Sequence, residues 1–199
     1  AGADLKAFAG DTSSEKPSTI PMPKDLVKLG EEFNGLHKPC IAQVHADVYA
    51  GGFLMIGGAT HVVAVESAKF GLPEVKRGIF PFQVMATLEP LMSARQLLDL
   101  CIRAKTLSAQ EAKEIGIVTD IVREEDLEDT VQKLIEDIKE QSPTAIRLGL
   151  KAFQEMKSKA AEDKHKYLHA MLMQCLQSKD AAEGLLAFKE KRKANWTGN

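Results

Sequence analysis

The chain has 199 residues and a net charge of −2, enough for one globular domain or a domain with a helical appendage, and too neutral for a large nucleic-acid-binding face. No apolar run approaches the roughly 20 residues that span a bilayer. Three widely spaced cysteines without a CxxC pair favour free thiols in a reducing compartment over a disulfide or zinc framework. We therefore expect a protein of the cytoplasm, or of an organelle matrix if a targeting segment was lost, without nucleic acid or membrane partners.

The first half of the chain predicts short strands and helices in alternation. A turn-rich loop at 10–24 precedes apolar residues at helical spacing, which end at Pro39. "CIAQVHADVYA" predicts a buried strand and a turn, "GGFLMIGGA" a short helix, "HVVAV" a strand and "AKFGLPEV" a loop. "MSARQLLDLCIRA" is amphipathic and predicts a longer helix.

The second half predicts mainly helices. In "TLSAQEAKEIG", Ser108 and Glu111 form a capping box, and Gly116 suits the left-handed residue that ends a helix. "IVTDIV" predicts a brief strand, and no strand pattern follows Ser142. We therefore divide the chain into an α/β core at 1–141, shortened at its N-terminus, and a helical oligomerisation region at 142–199.

Five segments carry a family resemblance in a fixed order. They are "AGADLK", "GG" at 51–52, "AKFGLPEV", "TLSAQEAKEIGIVTDIV" and "DAAEGLLAFKEKRKANW". Together they resemble the crotonase superfamily, also called the enoyl-CoA hydratase/isomerase family, from residue 1 to about residue 196. The resemblance implies a spiral of ββα units in two nearly perpendicular sheets, followed by a helical trimerisation region, with the first strands of the fold missing from this chain.

The resemblance also implies an acyl-CoA thioester as substrate and an oxyanion hole made of two backbone amides. Those amides would belong to Ala3 and to Gly51, the second at a helix N-terminus that favours negative charge. Ala50 stands where the family has the first of three glycines. Contacts with CoA would come from both ends of the chain, and the alternative for each is an ordinary exposed side chain: Ala1, Asp4, Leu5, Lys6, Phe188 and Lys191.

Only one of the family's two catalytic carboxylates is present. Glu74 in "FGLPEV" matches the one, whereas Leu54 occupies the place of the other. Addition of water benefits from two carboxylates, but one suffices to carry a proton from C2 to C4 of an acyl group. Phe82, Gln83, Val84 and Met85 replace a glycine-rich stretch, and the bulky apolar residues among them are expected to tighten and dry the pocket, which would raise the pKa of Glu74. Glu89 is a candidate auxiliary acid, although an exposed position is the plainer interpretation.

The sequence thus predicts a Δ3,Δ2-enoyl-CoA isomerase-like enzyme of fatty acid metabolism, with Glu74 as the proton shuttle. We expect no metal, no cofactor beyond the CoA of the substrate, and a homotrimer or a dimer of trimers. Two alternatives stay open: a hydratase with an atypical site, and a crotonase-fold CoA-binding or scaffold protein that has lost catalysis. A hydrolase or dehalogenase with the same oxyanion hole is also open.

Overall fold

The computed structural model describes residues 29–199, which form two compact units. The first unit contains residues 29–33 and 40–128, and the second contains residues 34–39 and 129–199. The division between residues 141 and 142 that the sequence favours stays a prediction. Within residues 29–199, no helix is both long enough and apolar enough to cross a membrane.

The first unit is built on two three-stranded sheets. One is entirely parallel, with β3 at its centre, and consists of β1 (Ile41–Val44), β3 (His61–Val65) and β6 (Asp120–Val122). In the other, β4 lies between a parallel and an antiparallel neighbour, and its strands are β2 (Val48–Tyr49), β4 (Lys69–Gly71) and β5 (Thr106–Ser108). The pairs β1–β2 and β3–β4 each give one strand to each sheet and are each followed by helix, which confirms the ββα pattern.

The helices of the first unit are mostly short. They are α1 (Leu29–Glu32), α2 (Phe53–Ile56), α3 (Phe82–Leu88), α4 (Ala94–Arg103) and α5 (Ala109–Glu114). The predicted capping box is confirmed, because the Ser108 hydroxyl accepts the Glu111 amide and the Glu111 carboxylate accepts the Ser108 amide. Gly116 ends this segment with φ +88°, as predicted.

The helical character of the C-terminal region is also confirmed. After α6 (Leu127–Lys139), which begins at the end of the first unit, come α7 (Pro143–Glu155), α8 (Ala161–Leu176) and α9 (Lys179–Glu190). Each of the last three helices contacts the other two.

One local prediction is wrong, and one strand was not indicated by the sequence. Lys69–Gly71, expected in a loop, is the central strand of its sheet, and its antiparallel partner is Thr106–Ser108, which ends at the predicted capping residue. Both strands exist because of pairing between distant residues, which a local pattern does not contain. Gly71 is closely packed there: a Cβ would lie 3.0 Å from the Tyr49 ring and 3.3 Å from the Lys105 carbonyl oxygen, so a larger residue would require these neighbours to shift.

The core of the first unit consists of apolar side chains from both sheets and from the helices. Phe53 of α2 and Phe70 of β4 are both fully buried and meet edge to face, with ring centroids 6.4 Å apart. Leu88 of α3 and Leu100 of α4 are also fully buried. This packing fixes the strand ends from which the candidate site is built.

Asp180, the second residue of α9, holds the C-terminal segment to the second unit. Its side chain is 1% exposed. One carboxylate oxygen accepts the Thr197 amide at 2.8 Å, the Thr197 hydroxyl at 3.1 Å and the Gly198 amide at 3.2 Å. The other accepts the Ser142 hydroxyl at 3.1 Å and the Thr144 amide at 3.4 Å. The carboxylate thus joins α9, the start of α7 and the last residues of the chain.

Candidate active site

Two predicted site segments leave the second sheet at the same edge. β2 and β4 are parallel, with Tyr49 paired with Gly71. The chain continues from β2 into a 3₁₀ turn, Ala50–Gly52, and from β4 into a second one that begins at Glu74. Because parallel strands have their carboxyl ends on one side, Gly51 and Glu74 follow neighbouring strand ends. This brings a candidate amide and a candidate carboxylate to one edge of the sheet.

The Gly51 amide lies at the start of helical structure. Gly51 is the second residue of the 3₁₀ turn, which runs directly into α2. An amide in the first turn of a helix has no earlier carbonyl of that helix to which it can donate. Glycine also lacks the Cβ that would obstruct an approaching oxygen. The position suits an oxyanion donor, and that role for Gly51 stays a prediction.

Ala50 adopts a left-handed backbone, with φ +51°, immediately before this amide. That conformation costs an L-residue roughly 1–2 kcal/mol, whereas glycine adopts it freely. Such strain is typical of turns that aim a functional group. The family's glycine at this position therefore has a physical reason, and this chain departs from it at a cost in stability.

We expect Ala50→Gly to raise the free energy of unfolding by up to about 1 kcal/mol, because it relieves the left-handed strain. Urea unfolding followed by circular dichroism measures the change. The matched control is Ala59→Gly, since Ala59 is not among the residues with positive φ and should lose stability on the same substitution. Equal losses for both variants would contradict this account of the turn.

Glu74 has the features of a proton-transferring carboxylate. It is partly buried, and its Oε2 is buried without a hydrogen-bond partner among the described residues. Burial raises the pKa of Glu74 above its usual value, and its own amide and Arg77 offset this only in part. A carboxylate with a raised pKa accepts a proton more readily and holds it for return.

Cys101 of α4 belongs to the surroundings of Glu74, which the sequence did not indicate. The cysteine is fully buried, and α4 contacts the turn Glu74–Arg77. Burial, followed by the charge of Glu74, raises the pKa of the Cys101 thiol. The thiol is therefore neutral at physiological pH and forms part of a weakly polar wall. The amphipathic pattern of α4 was the only signal, since it placed position 101 on the buried side.

The family has catalytic carboxylates at two positions, and this chain has a carboxylate at only one of them, Glu74. Leu54, which replaces the second, is the second residue of α2 and is partly buried. Within residues 29–199, no three His, Cys, Asp or Glu side chains are grouped so as to hold a metal ion. The groups that the described part of the site provides for chemistry are therefore the Gly51 amide and the Glu74 carboxyl group.

The residues at 82–85 lie in different environments. Phe82 begins α3 and is 65% exposed, and Gln83 is also exposed, so neither is packed into the core, and the expectation that this stretch tightens the pocket stays a prediction. Phe82 instead lies against Phe80, with ring centroids 5.2 Å apart. Val84 is buried, because it lies one helical turn before Leu88 on the core side of α3. Helix periodicity thus places Phe82 at the surface and Val84 in the core, although the two residues are only two positions apart.

Two of the predicted CoA contacts are among the described residues. Phe188, on α9, is 86% exposed, and Lys191, the exposed residue that ends α9, has φ +55°. Both belong to the second unit, and their CoA contacts stay predictions. The remaining predicted site residues lie outside the described residues: Ala1, Ala3, Asp4, Leu5 and Lys6.

Comparison with known proteins agrees with the motifs. The family profile described as "Enoyl-CoA hydratase/isomerase" matches residues 1–199. Carnitinyl-CoA dehydratase of Escherichia coli K12 is 32% identical over 203 residues, which cover all of this chain and 76% of the relative. A solved enoyl-CoA hydratase of Mycobacterium tuberculosis H37Rv has a TM-score of 0.84 at 28% identity, over 100% of this chain and 76% of that one.

A second solved structure extends the likeness. The enoyl-CoA hydratase of Bacillus anthracis has a TM-score of 0.80 at 29% identity, over 85% of this chain and 66% of that chain. The fold is therefore the crotonase fold that the sequence predicted. The chain belongs to the enoyl-CoA hydratase/isomerase family of acyl-CoA enzymes, within the crotonase superfamily.

Proposed function

We propose that the chain catalyses Δ3,Δ2-enoyl-CoA isomerisation with Glu74 as its only proton-transferring carboxylate. The observation that carries this proposal is the partly buried Glu74, with an unpartnered Oε2, at the sheet edge that also leads to Gly51. Leu54 at the second carboxylate position supports isomerisation over hydration, because a leucine cannot hold or deprotonate a water.

The proposed reaction begins with the thioester oxygen at the Gly51 amide, joined by the Ala3 amide. Both N–H groups stabilise the negative charge that develops on this oxygen, which makes the C2 protons of a 3-enoyl-CoA more acidic. The Glu74 carboxylate removes one C2 proton, and the electrons of the broken C–H bond delocalise over C2, C4 and the oxygen. The same carboxyl group then gives the proton to C4, which leaves the double bond between C2 and C3. This route uses no cofactor besides the CoA of the substrate.

The raised pKa of Glu74 supports this double role. A carboxylate at its ordinary pKa is a poor base for a carbon acid and holds the proton weakly at neutral pH. Burial narrows the gap between the pKa of Glu74 and the working pH, so both transfers become easier.

Dehydration is the second candidate, and the relatives named carnitinyl-CoA dehydratase favour it. In that reaction Glu74 would again remove a C2 proton, while a hydroxyl group leaves C3. The departing hydroxyl needs a proton donor, and Leu54 cannot supply one. A dehydratase would therefore depend on a donor outside the two family positions.

A substrate panel separates these functions. We expect purified chain to convert a 3-enoyl-CoA to the 2-enoyl-CoA at least about 100-fold faster than it hydrates the 2-enoyl-CoA or dehydrates a 3-hydroxyacyl-CoA, because removing one member of an acid–base pair costs about 10²-fold or more. Chromatography of the acyl-CoA products measures all three rates. Faster dehydration would favour the second candidate, and acyl-CoA binding without any turnover would favour the scaffold alternative.

We also propose that the chain forms homotrimers through its helical region. Exposed apolar side chains on α7–α9 support this, because a protein surface rich in large apolar side chains is typical of an interface. An apolar cavity of about 420 Å³ also opens between α7 and α8. The exposed side chains are Phe153, Leu168, Leu172, Met173, Leu176, Leu185 and Leu186.

A further inference from the structure

The turn that carries Glu74 packs against α4, and the buried side of α4 includes a cysteine. The buried residues of this helix are Leu97, Leu100 and Cys101, and Cys101 is fully buried. Its thiol is the only polar group among these three side chains. The carboxyl group of Glu74 therefore neighbours a helix surface that is hydrocarbon apart from one sulfur.

The Oε2 atom of Glu74 is buried and accepts no hydrogen bond from the described residues. A buried carboxylate oxygen ordinarily has a partner, because an unmet acceptor costs free energy. Serine at position 101 would have nearly the same shape as cysteine and would supply a strong O–H donor, whereas a thiol is only a weak donor. The residue at position 101 thus leaves this oxygen without a strong partner.

The charged groups around Glu74 are exposed or paired with other residues. In its own turn, Lys76 and Arg77 are exposed, and Arg77 lowers the pKa of Glu74 less than burial raises it. The charge of Glu74 does reach Cys101, where it adds to the effect of burial in raising the pKa of the thiol. The charged side chains of α4 and of the residue that follows it closely are exposed or form ion pairs: Arg95, Asp99, Arg103 and Lys105.

We propose that Cys101 is a positioning residue for Glu74: its buried thiol borders the carboxyl group without donating a strong hydrogen bond, so that Oε2 stays free to take up and release a proton. The inference rests on the proposed function of Glu74 as the proton shuttle and adds a residue that acts through it. Cys101 itself neither reacts nor contacts the acyl group in this arrangement.

A strong donor at position 101 would oppose the proposed reaction in two ways. It would stabilise the ionised carboxylate, which weakens Glu74 as a base. It would also hold the oxygen in one place, although the same carboxyl group must take a proton from C2 and return it to C4. A neutral, weakly donating thiol fills the space and avoids both effects.

Infrared spectroscopy of the full chain tests this arrangement without turnover. The band of the protonated Glu74 carboxyl, identified by its loss in Glu74→Gln, gives the pH midpoint of this group. We expect Cys101→Ser to lower the midpoint by about one pH unit, roughly the effect of one hydrogen bond to a carboxylate. Cys101→Ala removes the thiol without adding a donor and should keep the midpoint, as should Cys175→Ser in the second unit.

The S–H stretching band of Cys101 in the unmodified chain is a second measurement, which does not depend on the folding of Cys101→Ser. This band, identified by its loss in Cys101→Ala, should shift as Glu74 ionises and should stay constant with pH in Glu74→Gln. An S–H band that does not respond to pH in the unmodified chain would overturn the inference. So would equal carboxyl midpoints in Cys101→Ser and Cys101→Ala, which is what a merely structural role predicts.

Turnover tests the proposed function separately. If Glu74 carries the proton, the acidic fall in kcat/KM of Cys101→Ser should move by the same amount as the carboxyl midpoint. A shifted midpoint in a chain that does not isomerise 3-enoyl-CoA would reject the proposed function and keep Cys101 as the neighbour that controls the carboxyl group. An active isomerase whose midpoint is not moved by Cys101→Ser would keep the proposed function and lose this inference.

Discussion

Replacing Glu74 with glutamine should lower kcat for isomerisation of a 3-enoyl-CoA by about 10²- to 10⁴-fold, the usual contribution of a positioned general base. Glutamine keeps the shape and the hydrogen-bonding capacity of the side chain but cannot accept the C2 proton. KM should change little, since in the proposed route the thioester oxygen is held by backbone amides. Steady-state kinetics on the purified variant measures both parameters.

The pH dependence of the same reaction has a defined sign. Glu74 must be ionised to accept a proton, so kcat/KM should fall as the pH drops through the pKa of this carboxyl. The ordinary pKa of a glutamate is 4.5, and burial raises the pKa of Glu74 above it. The fall in kcat/KM should therefore occur at a higher pH than an ordinary glutamate would produce. The residual kcat/KM of the Glu74→Gln variant should not show this fall at acidic pH.

Glu74→Gln should increase the stability of the folded chain, although it lowers the activity. A raised pKa means that the folded chain prefers the protonated carboxyl, so the unmodified protein loses stability as the pH rises through this pKa. Glu74→Gln removes this loss and should increase Tm at pH 8 but not at pH 4. Glu66→Gln, at an exposed glutamate after β3, is the matched control for both activity and Tm. Full isomerase activity in Glu74→Gln would exclude Glu74 as the shuttle.

The largest effect on stability is expected at Asp180. Asp180→Ala should lower the free energy of unfolding by roughly 3–5 kcal/mol, because it removes five hydrogen bonds to a charged group and leaves buried donors without an acceptor. Asp180→Asn should also destabilise, since its NH₂ group would face the amide of Gly198 or Thr144. Urea unfolding measures both, and Asp163→Asn, at an exposed residue of α8, should change stability by less than about 0.5 kcal/mol.

Asp180 should also make the second unit sensitive to acid. Burial raises the pKa of this carboxyl, but the hydrogen bonds, led by that of the Thr197 amide, outweigh burial and hold the pKa well below its ordinary value. A depressed pKa stabilises the folded chain at any pH above the unfolded value, about 3.9, and this stabilisation is lost as the pH falls further. Asp180→Asn should lack this part of the acid destabilisation. Identical acid profiles for variant and parent would contradict the network.

The sequence predicted the elements that depend on neighbouring residues. The capping box of Ser108 and Glu111 and the left-handed Gly116 are local signals, and both were confirmed. The strand Lys69–Gly71 was missed because it forms through partners about 20 and 40 residues away. Asp180 gave no signal either, since an acidic residue in the first turn of a helix is ordinary and its partners lie elsewhere in the chain.

The candidate site was predictable in its residues more than in its environment. The family resemblance indicated Gly51 and Glu74, and parallel pairing of β2 with β4 brings both segments to one edge. The strain at Ala50, the unpartnered Oε2 of Glu74 and the neighbouring Cys101 depend on packing, which no short motif specifies. The exposure of Phe82 could not be predicted from a short motif either, because it depends on how α3 packs against the rest of the unit.

The most direct test of the account is a crystal structure of the chain with a saturated, unreactive acyl-CoA bound. We expect the thioester oxygen within about 3 Å of the Gly51 amide nitrogen, and a Glu74 carboxylate oxygen within about 3.5 Å of C2. A thioester bound away from this edge, or a Glu74 carboxylate turned away from the acyl group in every subunit, would contradict it.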